Sequence, residues 1–158
     1  MSKYPPFETL EKIKRWCDMQ ERAHSEVIQK LRSWAVESHD AEQILTELIS
    51  ENYINEERYA RAYVSGKFRI KKWGWQKIKS SLKQKGVSDY SIDLAKEEIE
   101  DADYRQTMVE LLRKKWPLIK ANSTWEAKQK LLKYAAGRGY HPAEVHSAIN
   151  NELSALIK

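Results

Sequence analysis

IKSSLKQKGVSDYSI, residues 78–92, places Ile78 and Leu82 four apart, Gly86 four further on, Val87 directly after it and Ile92 five beyond. An α-helix turns about 100° per residue, so a spacing of four keeps Ile78 and Leu82 on one face. A glycine one turn later suits a helix that stops in left-handed backbone. The stretch therefore predicts a helix, a tight stop and a second helix carrying Ile92 and Ile99. The same pattern occurs at Val27, Leu31, Ala35 and Val36, followed by Ile44 and Leu48. It occurs again at Leu131, Ala135, Gly139 and Tyr140, followed by Val145 and Ile149. The copies begin 51 and 53 residues apart, and the first has three extra loop residues near Glu37–His39.

A further amphipathic stretch precedes each copy, over about 9–20, 56–72 and 102–116. Strand-like alternation is absent, so the chain reads as all-α. Helix punctuation agrees. Asn55 precedes two acids, Ser123 stands three before Glu126, Trp116 is followed by Pro117, and Gly86 and Gly139 sit at helix stops. The expected architecture is three tandem three-helix repeats forming an elongated, curved array. Units of about 50 residues fold poorly alone but are supported by stacked neighbours. The expected division is a flexible N-terminus over 1–6, then repeats over 7–54, 55–101 and 102–158.

Of the 158 residues, 28 are Lys or Arg and 23 are Asp or Glu, a net charge of +5. The excess is segregated. Residues 1–57 hold 7 basic and 12 acidic side chains, residues 58–88 hold 10 basic and none acidic, and residues 89–158 hold 11 of each. On a helical wheel of the 56–72 stretch, Tyr59, Tyr63 and Ile70 share an arc of ~40°, with Ala60, Val64 and Phe68 extending the apolar surface. Arg58, Arg61, Ser65, Arg69 and Lys72 fall within another arc of ~80°. Lys77, Lys79 and Lys83 project from the next helix, and Trp73 and Trp75 lie in the turn between. Like charges so close repel, and an anionic partner offsets that cost. The partner is either a nucleic acid backbone or an acidic protein surface. Each tryptophan has two readings, contact with that partner or packing of the helix junction.

Other chemistry finds little material. No stretch approaches the ~18 apolar residues of a membrane-spanning helix, and the N-terminus lacks a secretory apolar core. The lone Cys17 permits no intramolecular disulfide and fits a reduced, intracellular setting. His24, His39, His141 and His146 are scattered without ligand spacing, so no metal is expected. No nucleophile, acid pair or Gly-rich phosphate loop stands out, so no catalytic residue, no cofactor and no small-molecule substrate are expected. The acids Glu97, Glu98, Glu100, Asp101 and Asp103 read as a solvated helix face, with the basic block as an alternative partner.

The runs YINEERYARAYV (53–64) and KKWGWQKIKSSLKQKGV (71–87) resemble the RecX family, regulators of the RecA recombinase. The resemblance rests on Ile54, Asn55, Glu56, Arg58, Tyr59 and Ala60, then Gly74, Lys77, Ile78, Leu82, Lys85 and Gly86. It implies three three-helix repeats and a cytoplasmic, non-enzymatic modulator that binds RecA filaments on DNA and restrains strand exchange and ATP hydrolysis. DNA itself is the alternative partner. The residues expected at the contact are Arg58, Arg61, Arg69, Lys72, Lys77, Lys79 and Lys83. The first repeat departs from the pattern in having Ala35 where the later two have glycine.

Overall fold

The computed structural model describes residues 4–157. Among them are nine α-helices, two short 3-10 turns and no strand. The first three helices are α1 Pro6–Met19, α2 His24–Ser33 and α3 Ser38–Ser50. The middle three are α4 Glu56–Arg69, α5 Trp75–Gln84 and α6 Asp89–Ala95. The last three are α7 Asp101–Lys115, α8 Thr124–Gly137 and α9 Pro142–Asn151. The chain is a helical repeat array. Of the segment expected to be flexible, residues 1–3 lie outside the described residues.

The repeat is visible in the backbone itself. Ala35, Gly86 and Gly139 all adopt left-handed backbone, with φ of 61°, 80° and 101°. In each copy the next residue donates its N–H to the carbonyl five residues back. The pairs are Val36 to Leu31 at 3.1 Å, Val87 to Leu82 at 3.1 Å and Tyr140 to Ala135 at 3.0 Å. This bond satisfies a carbonyl the helix end would otherwise leave open. Side chains ahead of the stop are the innermost: Val27, Leu31, Ile78, Leu82, Leu131 and Ala135 are all 0 % exposed.

The caps follow the expected chemistry. Asn55 Oδ1 accepts the Arg58 N–H at 2.8 Å, and Ser88 Oγ accepts the Ser91 N–H at 3.3 Å. Ser123 Oγ accepts the Glu126 N–H at 3.1 Å, but the Glu126 carboxylate takes the N–H of Asn122 rather than that of Ser123. α7 ends at Lys115, and Trp116–Leu118 makes a 3-10 turn around Pro117.

Two compact units divide the array, and the boundary cuts the middle repeat. The first unit comprises the chain up to Tyr63 together with Leu82–Lys96. Its core holds Ile13, Cys17, Val27, Leu31, Leu48 and Ile54. Burial pushes the Cys17 thiol up to about 11, so it stays a neutral core group. The second unit comprises Val64–Ser81 and Glu97–Lys158, with a core of Met108, Leu112, Leu131, Tyr140, Val145 and Leu153 among others.

Candidate contact surface

α4 buries Tyr59, Ala60, Val64 and Phe68, so its inward face centres on a 60/64/68 row. Ile70, placed by the wheel on the apolar arc with Tyr59 and Tyr63, is instead 77 % exposed. The helix has already ended at Arg69, and beyond that point a wheel no longer describes where side chains go. Lys72 leaves the stripe for the same reason. Its φ is 60°, left-handed, and the Trp73 N–H bonds back to the Lys67 carbonyl at 3.1 Å to close the helix end.

The seven cations are not equivalent. In the first unit three of them face acids. The Arg58 Nε–H is shared by both carboxylate oxygens of Glu21 at 2.8 and 2.7 Å, Nη1 donates to Asn52 Oδ1 at 3.3 Å, and Nη2 donates to the main-chain carbonyls of Asn52 and Tyr53. This ion pair, with one N–H shared by both carboxylate oxygens and three further bonds beside it, is a structural latch, since freeing Arg58 would break all of them. Arg61 pairs with Glu57 at 3.2 Å, and Lys83 lies 3.5 Å from Asp89. These last two are exposed pairs of low strength that a partner can displace.

The second unit holds the other four. Arg69 donates to Ser65 Oγ and to the Glu98 carbonyl, both at 3.1 Å. The basic stripe and the acidic segment therefore touch there, where Lys96–Glu98 forms a 3-10 turn. Lys77 lies 4.5 Å and Lys67 4.8 Å from the centroid of the half-buried Trp73 ring, at cation–π distance. Trp75 is also half-buried, and its N–H donates to the Tyr104 hydroxyl at 2.8 Å. Lys72, Lys79 and the neighbouring Lys71 have no carboxylate partner among the described residues. Lys71 and Lys72 are exposed, beside exposed Ile70.

This turn is held by the third repeat in a way that sequence spacing did not reveal. The Gly74 N–H donates to the Arg138 carbonyl at 2.7 Å, and the Gln76 N–H donates to the Gly139 carbonyl at 3.0 Å. The backbones are so close that a Cβ on Gly74 would stand 2.4 Å from the Gly139 carbonyl carbon and oxygen. One on Gly139 would stand 2.7 Å from the Gly74 oxygen and 2.8 Å from the Lys77 nitrogen. The Tyr140 hydroxyl donates to the Lys72 carbonyl at 2.8 Å, and the Arg138 guanidinium donates to that of Lys71. Phe68, Tyr104 and Tyr140 pack ring to ring behind the turn, and burial pushes the Tyr104 phenol up to about 12. Lys71 and Lys72 are thus displayed on a backbone pinned at four points. Arg138, Gly139 and Tyr140 gave no functional signal in the sequence beyond the helix stop, because the groups of the 71–76 turn that they hydrogen-bond lie 63 or more residues away.

The fold defines a class: a tandem three-helix repeat protein, here with an acid-free basic turn in its middle repeat. Family models for the second and third three-helix domains of RecX match residues 55–95 and 102–149. The chain is 31 % identical over 137 residues to the regulatory protein RecX of Clostridium acetobutylicum, covering 84 % of this chain and 63 % of that one. It is 28 % identical to the Lactobacillus johnsonii protein, covering 48 % of it, and 25 % identical to that of Prosthecochloris aestuarii, covering 87 %. The chain thus spans about half to two thirds of the first two relatives and most of the third. The crystal structure of RecX from Lactobacillus salivarius superposes with a TM-score of 0.81 at 23 % identity, over 92 % of this chain and 94 % of that one. A second solved regulatory protein RecX gives 0.84 at 19 % identity, over 92 % and 72 %. The chain belongs to the RecX family, whose named members are regulatory proteins. No described helix is long and apolar enough to cross a membrane.

Proposed function

We propose that this protein binds RecA filaments on DNA and restrains recombinase and ATPase activity in DNA repair and the SOS response, as a cytoplasmic, non-enzymatic modulator. The observation that carries this reading is a coincidence of position. The second RecX domain, residues 55–95, is the part of the chain that contains the acid-free block 58–88. The division into repeats over 7–54, 55–101 and 102–158 belongs to the same proposal. A bound modulator that bridges neighbouring RecA protomers couples to turnover without entering either active site, because it restrains the motions that turnover requires.

Of the seven predicted contact residues, the proposal weights Lys72, Lys77, Lys79 and Arg69 most heavily. Among the described residues their charge is not spent on a carboxylate, so it remains for steering and holding an anionic surface. Arg61 and Lys83 contribute after exchanging weak internal pairs, and Arg58 contributes least because it latches the start of α4 to Glu21.

The test is RecA ATP hydrolysis on single-stranded DNA with stoichiometric protein at micromolar concentration. Inhibition is expected, and replacing Arg69, Lys72 and Lys79 by Glu should raise the concentration for half inhibition at least ~10-fold with helicity unchanged. Absence of any effect by the unmodified protein would sink the proposal, and undiminished inhibition by the triple variant would move the contact elsewhere. The second reading, direct DNA binding through 58–88, is favoured by the aromatic and cationic turn around Trp73. It requires log K to fall with log salt at a slope near −4 to −5 if about six cations meet phosphates.

A further inference from the structure

Ile70 is 77 % exposed, an aliphatic side chain that its own fold leaves in water. Lys71 and Lys72 follow it, exposed as well and without a carboxylate partner among the described residues. The backbone beneath them is fixed. The Arg138 guanidinium donates to the Lys71 carbonyl, and the Tyr140 hydroxyl donates to that of Lys72 at 2.8 Å. The turn is an apolar knob beside two cations, and its backbone is set before a partner arrives, so little ordering is lost on binding.

The first unit carries a surface of the opposite kind. α1 and α3 leave a groove of about 330 Å³ between them. Its floor is apolar, with Leu10 and Ile44 half-buried and Val36 buried. On the α1 side stands Phe7, 75 % exposed. On the α3 side stand Asp40 and Glu47. A spacing of seven puts these two acids within ~20° of one face and ~10 Å apart along the helix. Both are exposed, and neither has a cationic partner among the described residues. Apolar area left in water and charges left unpaired thus occur together at both places, with opposite sign.

We propose that the α1–α3 groove takes the Ile70–Lys72 turn of a second copy of this chain, with Ile70 on the apolar floor and Lys71 and Lys72 on Asp40 and Glu47. Lysine stems are flexible enough to bring two adjacent ammonium groups to acids two helical turns apart. The wider charge pattern favours the same pairing. Residues 1–57 hold 7 basic and 12 acidic side chains and residues 58–88 hold 10 basic and none acidic, so copies attract head to tail although each carries +5. The two acids repel nucleic acid and anionic membranes. A wholly polar basic segment would leave Phe7 and the groove floor in water. Groove and turn are different surfaces, so the contact builds rows or rings of copies rather than a two-fold pair. One turn in one groove is a small interface, and the assembly is weak and concentration-dependent. The proposal does not rest on the turn's meeting RecA, and a copy lodged there would compete with any other anionic partner.

The experiment sediments the full chain, freed of nucleic acid by nuclease, from ~10 μM to ~1 mM at low salt. The average mass should climb past that of a dimer as concentration rises and fall back as salt is added. A groove variant, Asp40→Lys with Glu47→Lys, should associate at least ~10-fold more weakly. So should a turn variant, Ile70→Ser with Lys71→Gln and Lys72→Asn. All five side chains are exposed, and circular dichroism checks that helicity is unchanged. Mixing the two variants is the decisive measurement, because the first keeps an intact turn and the second an intact groove. The mixture should form 1:1 dimers and nothing larger. A dimer that neither variant disturbs, association abolished by nuclease, or a mixture that stays monomeric overturns the proposal. So does an unmodified chain that is monomeric at every concentration, which would leave the groove to a basic segment of a different protein.

Discussion

Gly86 and Gly139 hold the same place in two copies of one repeat, with the same left-handed backbone and the same closing hydrogen bond. Their surroundings differ completely. A Cβ on Gly86 would meet nothing within 4 Å, whereas one on Gly139 would collide with the backbone of Gly74 and Lys77. The turn at Gly86 is secured by side chains of its own unit. Ser25 Oγ donates to the Lys85 carbonyl at 2.6 Å, and the Ser88 N–H donates to Glu56 Oε1 at 2.5 Å. The turn at Gly139 is secured by backbone groups, with the basic 71–76 segment seated against it. One glycine is therefore a convenience of helix ending, and the other is a steric requirement of docking.

The sharpest way to break this contrast is to add a methyl group to each. Gly139→Ala should cost at least ~3 kcal/mol in urea unfolding, because backbone rather than flexible side chain must move. Gly86→Ala should cost only about 1 kcal/mol, the strain of left-handed backbone in open space. Equal losses would mean the close approach to Gly74 carries no weight. A smaller and opposite effect belongs to the first repeat. Ala35 already bears the left-handed strain at φ 61°, so Ala35→Gly should stabilise the protein by up to about 1 kcal/mol, reduced by the greater freedom of glycine when unfolded. No gain in the unfolding midpoint would show that its turn has relaxed by other means.

The smallest expected effect is on pH. Burial works against the charged form of Glu56, but the hydrogen bonds from Ser88 and Ser91 outweigh it and hold the carboxyl below its ordinary value. A folded value below the unfolded one makes the charged form stabilising above the ordinary carboxylate range. That contribution is lost as pH falls through the folded value. Stability of the unmodified protein should therefore drop more steeply between about pH 5 and 3 than that of Glu56→Gln. Parallel pH profiles would remove Glu56 from the account of the Gly86 turn.

Element by element, the helical reading survives where its causes are local. The repeat spacing places Leu31, Leu82 and Ala135 in the interior, and Asn55, Ser123 and Pro117 act where their chemistry predicts. It fails at Ile70 and Lys72, which the wheel carried past the last helical residue, Arg69. It also treated ten cations as one field. Glu21 lies 37 residues from Arg58, and no periodicity could announce that this arginine is spent on a latch.

By itself, then, the sequence determined where helices run, where they stop and that a threefold unit repeats, because those features rest on contacts between residues a few positions apart. It also located the acid-free block and, through its motifs, the family. Only the tertiary structure decided which cations keep a charge to offer, that Ile70 faces water, and that Gly74 and Gly139 must both lack a side chain. Coulombic pairing and steric exclusion depend on separation in space, and residues 63 to 68 apart in the chain are hydrogen-bonded here.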